Sequence, residues 1–120
     1  MRAGLLVALL MLAPSPSFPA LAQGTSHDGR WRVELETTVG KCASSGSTIV
    51  TVKQNRLVGI ETSGVEPWGY IDETDTFVGH FNSGAKILRA NGDVRGATAS
   101  GPWSSQTEYC GGRWTAHKID

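Results

Sequence analysis

From Arg30 to Glu36 the chain alternates without a break, Trp31, Val33 and Leu35 on one side and Arg30, Arg32, Glu34 and Glu36 on the other. Period two predicts a half-buried β-strand, and no helical period competes with it. Small residues from Gly40 to Gly46 then predict a loop that carries Cys42. Thr48 to Lys53 and Leu57 to Thr62 are β-branched-rich runs flanking Gln54-Asn55-Arg56, the pattern of a hairpin. Ser63 to Pro67 breaks the chain and Trp68-Gly69-Tyr70-Ile71 resumes it. Asp72 to Asp75 is a polar turn before a strand from Thr76 to Phe81, and Asn82-Ser83-Gly84 is another turn. Lys86 to Ala90 and Asp93 to Ala99 flank Asn91-Gly92, a pair that predicts a tight hairpin turn. Gly101-Pro102-Trp103 and Gly111-Gly112 punctuate the end, and Arg113 to His117 reads as a last strand. Short strands at intervals of roughly ten residues predict an all-β fold. The expected form is an antiparallel meander of seven or eight strands, a small barrel or barrel-like sandwich.

Glycine and tryptophan sharpen that picture. Several of the 15 glycines (Gly59, Gly69, Gly79, Gly96) fall inside strand-like runs, where glycine is unfavourable unless a bend or a close neighbour needs the space. Three of the 4 tryptophans recur in a similar setting, as Gly29-Arg30-Trp31, Gly101-Pro102-Trp103 and Gly112-Arg113-Trp114. A tightly curved sheet with indole rings inside accounts for both habits. The near-identity of Asp28-Gly-Arg-Trp31 and Gly111-Gly-Arg-Trp114 suggests that the first and last strands lie side by side and close a barrel. The Gly-x-Trp of the first strand is similar to that of the lipocalin and avidin families, a likeness of architecture alone.

The start of the chain reads as an address. Met1-Arg2 is basic, Ala3 to Ala13 is apolar, and Ala20-Leu21-Ala22 has the small-x-small form that signal peptidase accepts. An apolar run this short falls well below the ~20 residues a membrane-spanning helix needs. Residues 1–22 are therefore expected to be a cleaved signal peptide, 23–28 a flexible lead, and 29–120 a single β domain that is not inserted in a membrane. The location implied is secreted or periplasmic. Charge is balanced, with 11 Lys and Arg against 11 Asp and Glu, and no basic block marks a nucleic-acid partner.

Cys42 and Cys110 are the 2 cysteines of the chain, 68 positions apart. In an oxidising compartment they are expected to form a structural disulfide. Neither the C-x-x-C spacing of a redox pair nor the four close ligands of structural zinc is present.

From Asp28 onward the domain resembles a family of small exported β-rich proteins of rhizobial and related alphaproteobacteria, mostly uncharacterised. The shared features are Gly29-x-Trp31, Gly69-x-Ile71, Ala90-x-Gly92, Gly96, Gly101-x-Trp103 and the closing Cys110-Gly-Gly-Arg-Trp114-Thr-Ala116. The resemblance implies secretion and a β-fold and transfers no catalytic residue. The acidic, aromatic stretch from Glu66 to Phe81 departs from the family's Ser-, Gly- and Val-rich segment.

Candidate chemistry is sparse. Asp72-Glu73-Thr74-Asp75 offers oxygen ligands for a cation but lacks the spacing and glycine of a dedicated calcium loop. His27, His80 and His117 have no convergent metal spacing, and a solitary exposed histidine is the simpler account of each. Ser83, His80 and Asp75 are near in sequence, yet no Gly-x-Ser-x-Gly elbow accompanies them. No catalytic, cofactor or metal residue is assigned, and the expectation is a non-enzymatic binding module for a protein or surface partner. Trp68, Tyr70 and Phe77 are its candidate recognition residues, with core packing the competing role for Trp68 and Phe77. The alternatives are a lipocalin-like carrier, which requires an apolar pocket, and a periplasmic protease inhibitor.

Overall fold

The computed structural model describes residues 26–120, so the signal peptide expected over 1–22 and the first part of the lead lie outside the described residues. Eight strands follow one another: β1 (Gly29–Val39), β2 (Ser45–Lys53), β3 (Arg56–Ile60), β4 (Glu66–Ile71), β5 (Thr76–Ser83), β6 (Lys86–Arg95), β7 (Thr98–Ser105) and β8 (Cys110–Lys118). Each pairs antiparallel with the next, and β1 pairs with β8, so the meander closes into a barrel. The neighbouring first and last strands suggested by the repeated Gly-Arg-Trp are present, with Leu35 opposite Trp114 and Trp31 opposite Lys118.

Period two decides what fills the barrel. Trp31 is buried and Val33 and Leu35 are half-buried, while Arg30, Arg32, Glu34 and Glu36 face water. The same inward alternation places Val50 and Val52 of β2, Ala90 and Val94 of β6, and Trp114 and Ala116 of β8 in one core. Phe77 and Trp114 meet edge to face across it, centroids 5.6 Å apart, a geometry that aromatic quadrupoles favour. The wall is thinnest between β3 and β4, where a single register pair, Arg56 opposite Tyr70, joins the strands. One loop hydrogen bond, from the Ile71 amide to the Asn55 carbonyl, supports it.

The first hairpin forms as expected. Gln54 and Asn55 both adopt positive φ, 55° and 62°, the backbone of the tight turns that match strand twist. The hairpin expected at Asn91-Gly92 does not form: both residues are extended inside β6, and the turn comes at Gly96, where φ is 63°. Tertiary packing overrides the local signal. A side chain at Gly92 would collide with the Ser100 carbonyl and the Trp114 ring, so glycine is there to let β7 and an indole approach. Gly101 and Gly112 likewise lie within strands and press against the backbones of Asn91 and Glu36. Gly92→Ala should lower the unfolding free energy by about 1–3 kcal/mol, the usual cost of overpacking, measured by urea denaturation.

The described part of the lead packs against the barrel. His27 is 3% exposed, and Asp28 Oδ1 accepts a hydrogen bond from the Gln54 amide at 2.7 Å. The other end of the chain is tied to β1 as well, with Arg30 gripping the Asp120 carboxylate at 2.9–3.2 Å. That guanidinium holds the Asp120 carboxyl below the usual carboxylate range.

Candidate functional site

Because connections alternate between the two ends of a meander, each end of the barrel has its own set of loops. At the floor lie His27 and Asp28, the Gln54-Asn55 turn, the Asp72–Asp75 turn and the Gly96-Ala97 turn. His27 is buried at this end. Its backbone carbonyl accepts the Trp31 indole N–H at 2.9 Å, and its Nε2 lies 3.0 Å from Asp75 Oδ1. Asp75 can reach it because φ there is 62°, a left-handed turn that Asp tolerates. The Val94 amide bonds the Asp75 carbonyl at 2.9 Å and locks the turn to β6.

Above the floor runs a cavity of about 450 Å³, inside the range of small-molecule sites, ~300–1,000 Å³. Its lower walls are apolar: Trp31, Val52, Ile71, Phe77, Val94 and Trp114 all reach it. Three indoles border it, and each has its N–H committed to a backbone carbonyl. Trp31 donates to His27, Trp103 to Glu36 at 3.2 Å and Trp114 to Asn91 at 3.1 Å. The wall therefore turns hydrocarbon and ring faces inward. Glycine makes this possible at Gly69 and Gly79, where a side chain would strike the Phe77 ring.

The opposite end is open. Following the inward rows toward it, Trp31, Val33 and Leu35 give way to Thr37, Val52 and Val50 to Thr48, and Leu57 and Ile60 to Thr62. On the far wall Phe77 and Phe81 lead to Ser83, Ala90 and Leu88 to Lys86, and Ala99 and Trp103 to Ser105. The mouth is thus a ring of hydroxyls over an apolar shaft. Cys42 of the β1–β2 loop is bonded to Cys110 at the start of β8, Cα atoms 6.0 Å apart, and both line the cavity. The expected disulfide is present and pins the rim where first and last strands meet.

The residues proposed for recognition separate. Trp68 and Tyr70 lie on the outer face of β4, their rings 5.6 Å apart and nearly perpendicular. Trp68 is 46% exposed and stacks on His80 of β5 at 4.8 Å, so core packing does not describe it. Phe77 points the other way, 9% exposed, into the barrel; it belongs to the cavity wall and not to an outer surface. Register separates them: Trp68 and Tyr70 pair with His80 and Val78, while Phe77 pairs with Ile71 of the inward face.

The catalytic alternatives are not assembled. Ser83 lines the mouth, His80 lies outside the wall, and Asp75 sits at the floor against His27. Asp72 is occupied by its own turn, Oδ1 accepting from the Thr74 hydroxyl and from the amides of Thr74 and Thr76 at 2.7–3.0 Å. The Thr74 hydroxyl first, then those amides, hold its carboxyl below the usual carboxylate range. Among the described residues no group of three or more His, Cys, Asp and Glu is placed to hold a metal ion. Sequence reasoning missed the role of His27 and the ring of hydroxyls. The ring's only signal is a hydroxyl residue at the end of the inward rows of β1, β2, β5 and β7 and just past β3. No protein-family model, curated protein or solved structure matches this chain.

Proposed function

We propose that the protein is an exported, non-enzymatic binder of a small apolar ligand held inside the barrel. The observation that carries this reading is the cavity of about 450 Å³, apolar along its shaft, with the Trp31 ring at its floor and open at the other end. Apolar, largely pre-formed pockets of this size are where proteins take up small molecules. A structural disulfide is compatible with an extracellular or periplasmic address, which agrees with the signal-like start and with the resemblance to exported alphaproteobacterial proteins. The outer face supports an aqueous role. Arg30, Arg32, Glu34 and Glu36 point outward on β1, whereas a lipid-spanning barrel presents an apolar band there. The cavity moves the carrier reading ahead of partner recognition. The exposed Trp68–His80 stack keeps docking of a protein or surface partner on the outer wall as the second reading.

One assay separates the two. N-phenylnaphthylamine, an uncharged probe that brightens in apolar surroundings, should bind the disulfide-intact protein and quench the indoles that border the cavity. Ala90→Phe or Val50→Phe, which fill the shaft, should weaken uptake roughly tenfold or more. Trp68→Ala, on the outer wall, should leave it unchanged. Absence of uptake by a folded protein, or loss with Trp68→Ala instead, would remove the carrier reading.

A further inference from the structure

Granted the ligand-binding role above, we propose that the occupant is a single-chain amphiphile, its tail along the barrel axis and an uncharged, hydroxyl- or amide-bearing head in the ring at the mouth. Shape is the first argument. Trp31, Val33, Leu35 and Thr37 all reach the cavity from one strand, a run of about 20 Å along the strand. At the usual barrel tilt of ~35–45° that is roughly 15 Å along the axis. The cavity is thus long in one direction, running with the strands from the apolar floor to the open mouth. An extended chain lying along it meets apolar side chains over most of its length.

The distribution of hydrogen-bonding groups sets the orientation. All three indole N–H groups along the shaft are already bonded to backbone carbonyls, so a polar group pushed to the floor would be desolvated without a partner. At the mouth the situation reverses. The Thr48 and Thr62 hydroxyls are 2.7 Å apart. Whichever donates, the other keeps its proton for a ligand, and both keep free lone pairs. The Ser83 hydroxyl, also on the cavity wall, makes no hydrogen bond among the described residues. A head that both donates and accepts fits this ring.

Charge decides against an ionic head. The charged residues on the cavity lining are Lys86 and Glu108, one of each sign, and Glu61 is paired with Arg30 at 3.5 Å, so no excess of cations waits for a carboxylate or phosphate. No surplus carboxylate stands there for an ammonium head either, and exposed charges are screened. The Cys42–Cys110 bond holds the rim in place before binding, which spares part of the ordering cost.

Titration of the disulfide-intact protein with ligands that share a dodecyl tail, each below its micelle concentration, tests this class. Dodecyl maltoside should bind roughly tenfold or more tightly than dodecanoate or dodecyltrimethylammonium, and maltose alone should not bind. Thr48→Val combined with Thr62→Val should erase the maltoside's advantage over the two charged ligands, with near-ultraviolet circular dichroism verifying the fold. Tightest binding by dodecanoate, lost in Lys86→Gln, would overturn the proposal in favour of an anionic head, and tightest binding by the ammonium would overturn it in favour of a cationic one. Maltose binding as well as its dodecyl derivative would show that no tail is recognised. If N-phenylnaphthylamine enters and no dodecyl ligand does, the amphiphile is wrong while the cavity reading stands. If nothing enters, the cavity reading itself fails.

Discussion

Trp31→Ala should lower the free energy of unfolding by about 3–5 kcal/mol, the largest effect expected of a single side chain here. Trp31 is 4% exposed and its ring forms part of the cavity floor. Its N–H also holds the carbonyl of His27, which is buried at the same end of the barrel. Truncation therefore removes apolar burial, leaves a void and releases the floor. Trp31→Phe keeps most of the ring and loses the bond, so it should cost less; the bond itself is worth about 1 kcal/mol. Arg32→Ala, one position along and facing water, should cost under about 0.5 kcal/mol. Urea denaturation of the three variants gives the ranking. A Trp31→Ala protein as stable as Arg32→Ala would mean that the floor contributes nothing to the fold.

Reduction of Cys42–Cys110, or replacement of both by serine, should cost about 2–5 kcal/mol, the range for a small secreted domain. The bond closes a separation of 68 residues, for which chain entropy alone gives roughly 4 kcal/mol. Domains of this size are stable by only ~5–15 kcal/mol, so the loss is a large share. The urea midpoint with and without reductant measures it. An unchanged midpoint would show that β1–β8 pairing holds the seam unaided. Cys42 and Cys110 both line the cavity, so reduction also loosens the rim that the proposed ligand meets.

Much of this architecture is legible in the residues because strand faces obey a local rule. Side chains alternate about a pleated backbone whatever the rest of the chain does. Trp31, Val33 and Leu35 are therefore assigned inward, and the charges of β1 outward, before any contact is known. The pairing of β1 with β8 is visible in the repeated Gly-Arg-Trp, and the disulfide in an isolated cysteine pair. At Asn91-Gly92 the same reasoning fails. A turn-forming pair reports local preference alone, and here the deciding contacts are Ser100 and Trp114, from β7 and β8. The role of His27 was hidden for a similar reason. A short polar lead has no period to read, and the partner of His27, Asp75, is 48 residues away.

The sequence alone determines the strand faces, the all-β class and the cysteine pair, since each follows from local periodicity or from composition. Closure left room along the axis, and only the tertiary structure decided that. A barrel's interior depends on how inward side chains from eight strands meet, which no single strand specifies. The same closure gathers Thr37, Thr48, Thr62, Ser83 and Ser105, scattered over the chain, into one ring at the mouth. It also sends Trp68 and Phe77 to opposite sides of the wall, because side chains of paired strands share a face only when their register brings them level.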